Sequence, residues 1–231
     1  MNLTVLSCEE PSDDVRVPQD RFARGRPGRL GGTDLPDISL RDRLRATTAD
    51  SHAALDATVA AFDIERTTGY AAFLAASAAA LAPLELGLER GGVEAWLPDW
   101  PRRARREVLA RDLAALGLAT PLSPRPVHVP SPAFGAGLLY VLEGSRLGAR
   151  FLARRARAAG RPLAYLTHGE GGDLWPSFLV WLEAIPKVGF WTDEAEAGAR
   201  YGFRCFSDAF AAAAPPGDRN VRVHAPVRIR S

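Results

Sequence analysis

Tyr140-Val-Leu-Glu-Gly-Ser-Arg-Leu-Gly-Ala-Arg150 has the pattern of a helix, yet two glycines stand in its interior. A helix-interior glycine costs roughly 1 kcal/mol against alanine, so a pair on one face needs a compensating role. Residues four apart stand one above the other on a helix surface. Gly144 and Gly148 therefore make a strip free of side chains, with Ser145 beside it, and Gly137 extends that strip toward the N-terminus. Two readings fit. Another helix can pack its backbone closely against the strip, or a flat ligand can lie on it.

Working outward, the glycine-bearing helix is expected to span about residues 132 to 159 and to stop at Gly160. Before it, Leu40, Leu44, Leu55 and Val59 recur at turn spacing and predict a helix over 38–62. A second opens at Thr67 or Thr68, both good N-cap residues, kinks near Pro83 and ends at Gly91-Gly92. A shorter amphipathic helix covers 98–116, and residues 120–132, with five prolines, form a loop. After the glycine helix, His168-Gly-Glu-Gly-Gly172 reads as a turn, and helices follow over 175–185 and 193–213. No stretch alternates as a strand should and no repeat is present. The expected fold class is all-α, a single-domain bundle of about six or seven helices over residues 37–213. Residues 1–36, with Arg24-Gly-Arg-Pro-Gly-Arg29, read as a disordered arm, and 214–231 as a loose C-terminal tail.

The chain has 231 residues, 47% hydrophobic and 24% charged, which suits one domain with a substantial core. A formal net charge of +2 exerts no general pull toward nucleic acid. Two cysteines, Cys8 and Cys205, make no disulfide framework. The start lacks the basic and apolar regions of a secretory signal, and no apolar run approaches the roughly 20 residues that span a bilayer. The expected location is the cytoplasm, with no membrane and no nucleic-acid partner. Arg102, Arg103, Arg105 and Arg106 are expected on a solvated basic face, with docking of an acidic electron donor as the rival reading.

Of four histidines, His128, His168 and His224 fall in surface segments by pattern. His52 differs. At 100° per residue, Arg45, Thr48, Leu55 and Val59 lie within about 60° of it, which puts His52 on the buried stripe of the first helix. A core histidine with a satisfied hydrogen bond is one reading. An axial ligand of haem iron is the other, since neutral imidazole is a common choice there. Arg45 lies about 10 Å along the axis on the same face, a distance that suits a guanidinium reaching haem propionates. Arg41, one turn further, is a second candidate. No HExxH, P-loop, GxSxG elbow or paired-cysteine site competes.

Taken together, Leu44-Arg-Ala-Thr-Thr-Ala-Asp-Ser-His-Ala-Ala-Leu55 and Tyr140-Val-Leu-Glu-Gly-Ser-Arg-Leu-Gly148 resemble the proximal and distal helices of haem oxygenases. The second stretch is similar to the bacterial biliverdin-producing branch, which accompanies bacteriophytochromes or haem-iron uptake. The resemblance covers about residues 38 to 213. It implies a haem oxygenase-like helical bundle that cleaves haem b, at once substrate and cofactor, with O2 to biliverdin, Fe2+ and CO. It also implies His52 as the proximal iron ligand, Arg45 as propionate partner, and Gly144 and Gly148 as the surface against the haem. Ser145 would border the distal pocket. Electrons would come from an external donor such as ferredoxin with its reductase, or ascorbate, and a bacteriophytochrome could receive the biliverdin. A non-catalytic haem carrier or sensor on the same fold is the alternative. Two departures stand out. Ala149 replaces a glycine common after Gly148, and the distal aspartate of the animal-type motif is absent, with Glu143 pointing about 100° away from Gly144.

Overall fold

A computed structural model describes residues 38–119, 124–185 and 190–214. The arm, most of the tail, Cys8 and His224 lie outside the described residues. Within them the chain is all-helical, with α1 Leu40–Ala60, α2 Thr67–Arg90, a 3-10 turn Val93–Ala95, α3 Trp100–Arg103, α4 Arg106–Ala115, α5 Pro132–Ala158, α6 Leu174–Ala184 and α7 Trp191–Ala213.

Local sequence explains where the site-bearing helices begin. Ser39 caps α1: its hydroxyl accepts from the Asp42 N–H at 3.1 Å and donates to the Asp42 carboxylate at 2.8 Å. Ser131 caps α5 by accepting from the Phe134 N–H at 3.2 Å, and Pro132 fills the first helical position, where a missing N–H costs nothing. α2 starts at Thr67 with Arg66 as its N-cap and no side-chain capping bond, one residue from the predicted cap. It runs through Pro83, whose carbonyl accepts from the Val127 N–H at 3.1 Å. Within its 24 residues an 18-residue window has a mean hydropathy of 1.7, so α2 is long and apolar enough by length and composition to cross a membrane. That corrects the expectation that no such run exists. Most of the apolar window is buried in the bundle, where Tyr70, Leu74, Leu81, Leu84 and Leu88 form its centre.

The helix expected over 98–116 is broken at Ala104-Arg105. The cause lies on α2. The Glu85 carboxylate accepts from the backbone N–H groups of Arg105 (2.8 Å) and Arg106 (2.9 Å), capping α4 from another helix. Burial nevertheless pushes the Glu85 carboxyl above the usual range, against those two bonds.

Long helix α7 organises the rest. α5 and α1 both pack along it, and α6 touches α5 and α1. At the α5–α7 crossing the two backbones meet. A Cβ on Gly137 would stand 1.9 Å from the Ala195 carbonyl oxygen, and one on Gly198 would stand 2.0 Å from that of Phe134. Gly137 therefore serves close helix packing and is not part of the open strip, which corrects its expected place there.

Candidate functional site

The strip resolves into two different surfaces. Gly137 is sealed against α7, whereas a Cβ built on Gly148 would meet nothing within 4 Å. At Gly144 it would meet only the Trp175 ring of α6, at 3.9 Å, an ordinary contact. Leu147 and Phe151, on the adjoining part of α5, are exposed at 39% and 66%. So the two motif glycines keep an accessible backbone surface clear, with Trp175 at one edge.

His52 faces solvent, with 63% of its side chain exposed, and not the interior as its place on the apolar stripe predicts. The physical reason is the packing of α1. Leu40, Leu44 and Thr48 are buried, but among the described residues contact between α1 and α5 is marginal, which leaves His52 exposed on that flank. The imidazole lies 5.9 Å from the Phe203 ring on α7, centroid to centroid. The preceding residue, Gly202, packs on Val141 of α5, where a Cβ would stand 3.3 Å from Val141 Cγ2. His52 and the α5 turn that leads into Gly144 therefore flank the same turn of α7. Asp56 Oδ2 stands 3.0 Å from His52 Nδ1. A carboxylate there favours a proton on Nδ1 and leaves the Nε2 lone pair for a metal.

Arg45 is exposed and makes no hydrogen bond or ion pair among the described residues. It stands near Tyr140, whose phenol is pushed up by burial and drawn back by the Arg41 and Arg45 charges. Two cations thus stand beside the start of the glycine strip. His52 with a free nitrogen, an open backbone surface, and cations beside its end fit a flat, dianionic macrocycle carrying a metal.

The reverse side of α5 holds a feature that the sequence reading missed. Arg103 and Arg105 are each 2% exposed, which corrects the expected solvated basic face. Glu143, also buried, accepts from Arg103 Nη1 at 2.8 Å and from Arg146 Nε and Nη2 at 3.0 and 2.9 Å. Arg103 further binds Asp99, Ser177 and the Leu174 carbonyl. Burial opposes the Arg103 charge, but Asp99 and Glu143 raise its pKa on balance, whereas burial and the Arg105 charge lower that of Arg146. The only signal in the sequence was the three-residue spacing of Glu143 and Arg146. Their partners sit forty residues away.

Ser145 belongs to this rear side. Its hydroxyl accepts from Arg105 Nη2 at 2.9 Å and donates to the Leu142 carbonyl at 2.7 Å, which Arg105 also engages at 2.7 Å. The hydroxyl is thus engaged with Arg105 and the α5 backbone. Arg105 and Ser145 together hold the turn that presents Gly144.

His168 is half-buried rather than on the surface, with Nδ1 3.0 Å from Arg146 Nη1. His128, by contrast, is exposed as expected. Burial first, then the Arg146 and Arg105 charges, push the His168 imidazole from 6.5 down to about 4. A folded pKa below the unfolded one adds stability that is complete above pH 6.5 and is lost as pH falls through about 4. Urea unfolding at stepped pH is expected to show His168→Gln losing less stability than wild type across that window. Equal slopes in the two proteins would refute the assignment. Glu85 and Asp112, both raised by burial, titrate in the opposite sense in both proteins and cancel in the comparison.

No protein-family model matches the chain. A curated relative is 35% identical over 126 residues, 51% of this chain and 73% of its own length; it is the haem oxygenase of Xanthomonas campestris pv. campestris (strain 8004). Among solved structures, the NO- and CO-bound haem oxygenase of Neisseria meningitidis superposes with a TM-score of 0.66 at 23% identity. It covers 78% of this chain and 98% of its own. The haem oxygenase of Leptospira interrogans gives 0.62 at 21% identity, over 75% and 99%. At those identities the structures speak for the fold.

Proposed function

This chain belongs to the haem oxygenase family, and from that premise we propose that it opens the haem macrocycle to biliverdin, Fe2+ and CO, using dioxygen and reducing equivalents. One observation carries the reading: the exposed His52 imidazole and the α5 turn at Val141, from which the accessible Gly144–Gly148 backbone continues, flank a single turn of α7.

In this reading His52 Nε2 binds the iron, and Asp56 holds the imidazole in the required tautomer. Arg45, with Arg41 behind it, neutralises the propionates at the edge of the haem. Gly144 and Gly148 let the α5 backbone approach the opposite face, which no larger residue allows. As a neutral imidazole, His52 would give the iron less electron push than a thiolate ligand would. Arg105 and Ser145 fix the α5 turn against α4 and keep the distance between backbone and haem constant. The protein supplies orientation and exclusion of bulk water, while the chemistry is that of the haem itself. Electrons are supplied from outside, by ferredoxin with its reductase or by ascorbate, and a bacteriophytochrome is a fitting recipient of the product. The work is done in the cytoplasm.

The test is direct. Purified chain mixed with hemin is expected to give a Soret band that decays under air with ascorbate or with ferredoxin and its reductase, while biliverdin accumulates on chromatography. A band that persists under those conditions identifies a carrier or sensor that shares His52 and leaves the ring intact.

A further inference from the structure

Three of the five tryptophans of this chain, Trp96, Trp175 and Trp181, fall in one line of aromatic rings. The line begins at the glycine strip. Tyr140, one turn before Gly144, lies 6.0 Å from the Trp175 ring, and the edge of that ring stands 3.9 Å from a Cβ placed on Gly144. Trp175 lies 5.8 Å from Phe178, Phe178 lies 5.5 Å from Trp181, and Trp181 stacks at 24° on Trp96, 5.9 Å away. All are centroid separations, so each ring touches the next. Residues 175, 178 and 181 repeat at three along one face of α6, which is how a single helix carries the middle of the line. Both ends reach the outside. Phe178 is buried, whereas Trp175, Trp181 and Trp96 are each partly exposed, with the Trp96 indole N–H turned inward and unpartnered among the described residues. The Trp181 indole N–H donates to the Trp96 carbonyl at 2.6 Å, fixing the last pair in register.

Indole and phenol are the most easily oxidised aromatic side chains, and electron transfer between rings falls steeply with the gap between them. A run with no gap from a redox site to the surface is therefore a conductor whether or not it also packs a core. We propose that the line Tyr140–Trp175–Phe178–Trp181–Trp96 carries oxidising equivalents away from haem held on the Gly144–Gly148 strip and delivers them to a small-molecule reductant at the surface. The proposal rests on the haem reading above.

The chemistry balances with hydrogen peroxide as oxidant and ascorbate as reductant. Peroxide bound at the haem takes up two electrons and two protons and leaves as two waters. Each electron is drawn from Trp175, with Tyr140 as its neighbour on the strip. Trp175 is refilled from Trp181 across Phe178, and Trp181 from Trp96. At the surface each ascorbate anion gives up one electron and one proton and leaves as its radical anion. The indoles are thus restored, and oxidation that escapes ring cleavage is discharged before it damages the α5 backbone. Without a reductant the holes remain on the outermost indoles, where water and dioxygen convert them to hydroxylated and ring-opened products.

The full chain loaded with hemin, its Soret band verified, is treated with hydrogen peroxide, digested and mapped by mass spectrometry. Trp181 and Trp96 are expected to be oxidised in wild type, and ascorbate is expected to protect them. Phe178→Leu, which cuts the line while keeping an apolar side chain, is expected to lower oxidation at Trp181 and Trp96 several-fold and to raise it at Trp175. Trp175→Phe serves as a second break, with freeze-quench electron paramagnetic resonance reporting loss of the indole radical signal. Hemin uptake with unmodified Trp181 and Trp96 overturns the route alone, as does unchanged oxidation of both in the two variants. A chain that takes up no hemin overturns the haem reading and the route with it.

Discussion

Alanine in place of Glu143 is expected to lower the unfolding free energy by about 3–5 kcal/mol, the range for removing one partner of a buried ion pair. Two guanidinium groups, on Arg103 and Arg146, converge on this one carboxylate, and all three side chains are buried. Removing it strands two cations whose remaining partners are Asp99, Ser177 and the Leu174 carbonyl for Arg103, and the Arg103 and His168 carbonyls and the His168 ring for Arg146. Against a total stability of about 5–15 kcal/mol such a loss is large, so the measurement needs a milder companion. Glu143→Gln keeps an acceptor and the shape but not the charge, and is expected to fall between wild type and alanine. The midpoints of urea unfolding for the three proteins give the order. An alanine variant within about 0.5 kcal/mol of wild type, the range of ordinary surface changes, would refute the role of Glu143 as the hub.

The second large effect is on function with stability moving the other way. Gly148→Leu places a side chain where a Cβ meets nothing within 4 Å, so the apo protein accepts it without strain. Leucine is the better helix former, which raises helix stability by up to about 1 kcal/mol. Haem held against that backbone must shift by the size of a side chain, and misplacement of about 1 Å is enough to cost about 100-fold in rate. The expected outcome is a protein that melts no lower than wild type and has lost biliverdin formation. Normal turnover in this variant would remove Gly148 from the site. Loss of turnover with loss of folding would contradict the open surface at this position.

Much of this architecture was legible in the sequence, because long helices carry strong periodic signals. The glycine-bearing helix, its start at Pro132 and its end before Gly160, and the extents of α1, α6 and α7 follow from apolar spacing and caps alone. The division of the glycines did not. Gly137 and Gly148 look alike in sequence, and only the crossing of α7 at Ala195 and Ala199 separates a packing glycine from an open one.

Charge was read least well. Four arginines within residues 102–106 suggest a wet face by the usual preference for exposure, whereas Arg103 is inside with Asp99 and Glu143, and Arg105 with the Leu142 carbonyl, the Ser145 hydroxyl and, through its backbone, Glu85. Of those, only Asp99 is a close neighbour in sequence. His52 failed in the opposite direction. Its helix position is on the apolar stripe, but a stripe is buried only where a neighbour covers it, and α1 here is backed by α7 with only marginal contact to α5 among the described residues. A histidine that periodicity assigns to a core and structure leaves exposed is what a ligand site between two helices requires.

Whether His52 binds the iron of a haem lying on the Gly144–Gly148 surface is read from the optical spectrum of hemin-loaded His52→Ala. His52 is exposed, so its replacement is expected to leave the bundle folded. The variant is expected to lose the wild-type Soret and visible bands and the capacity to form biliverdin, and added imidazole is expected to restore the bands. A His52→Ala protein with the wild-type hemin spectrum and wild-type turnover, unaffected by imidazole, would contradict iron binding by His52.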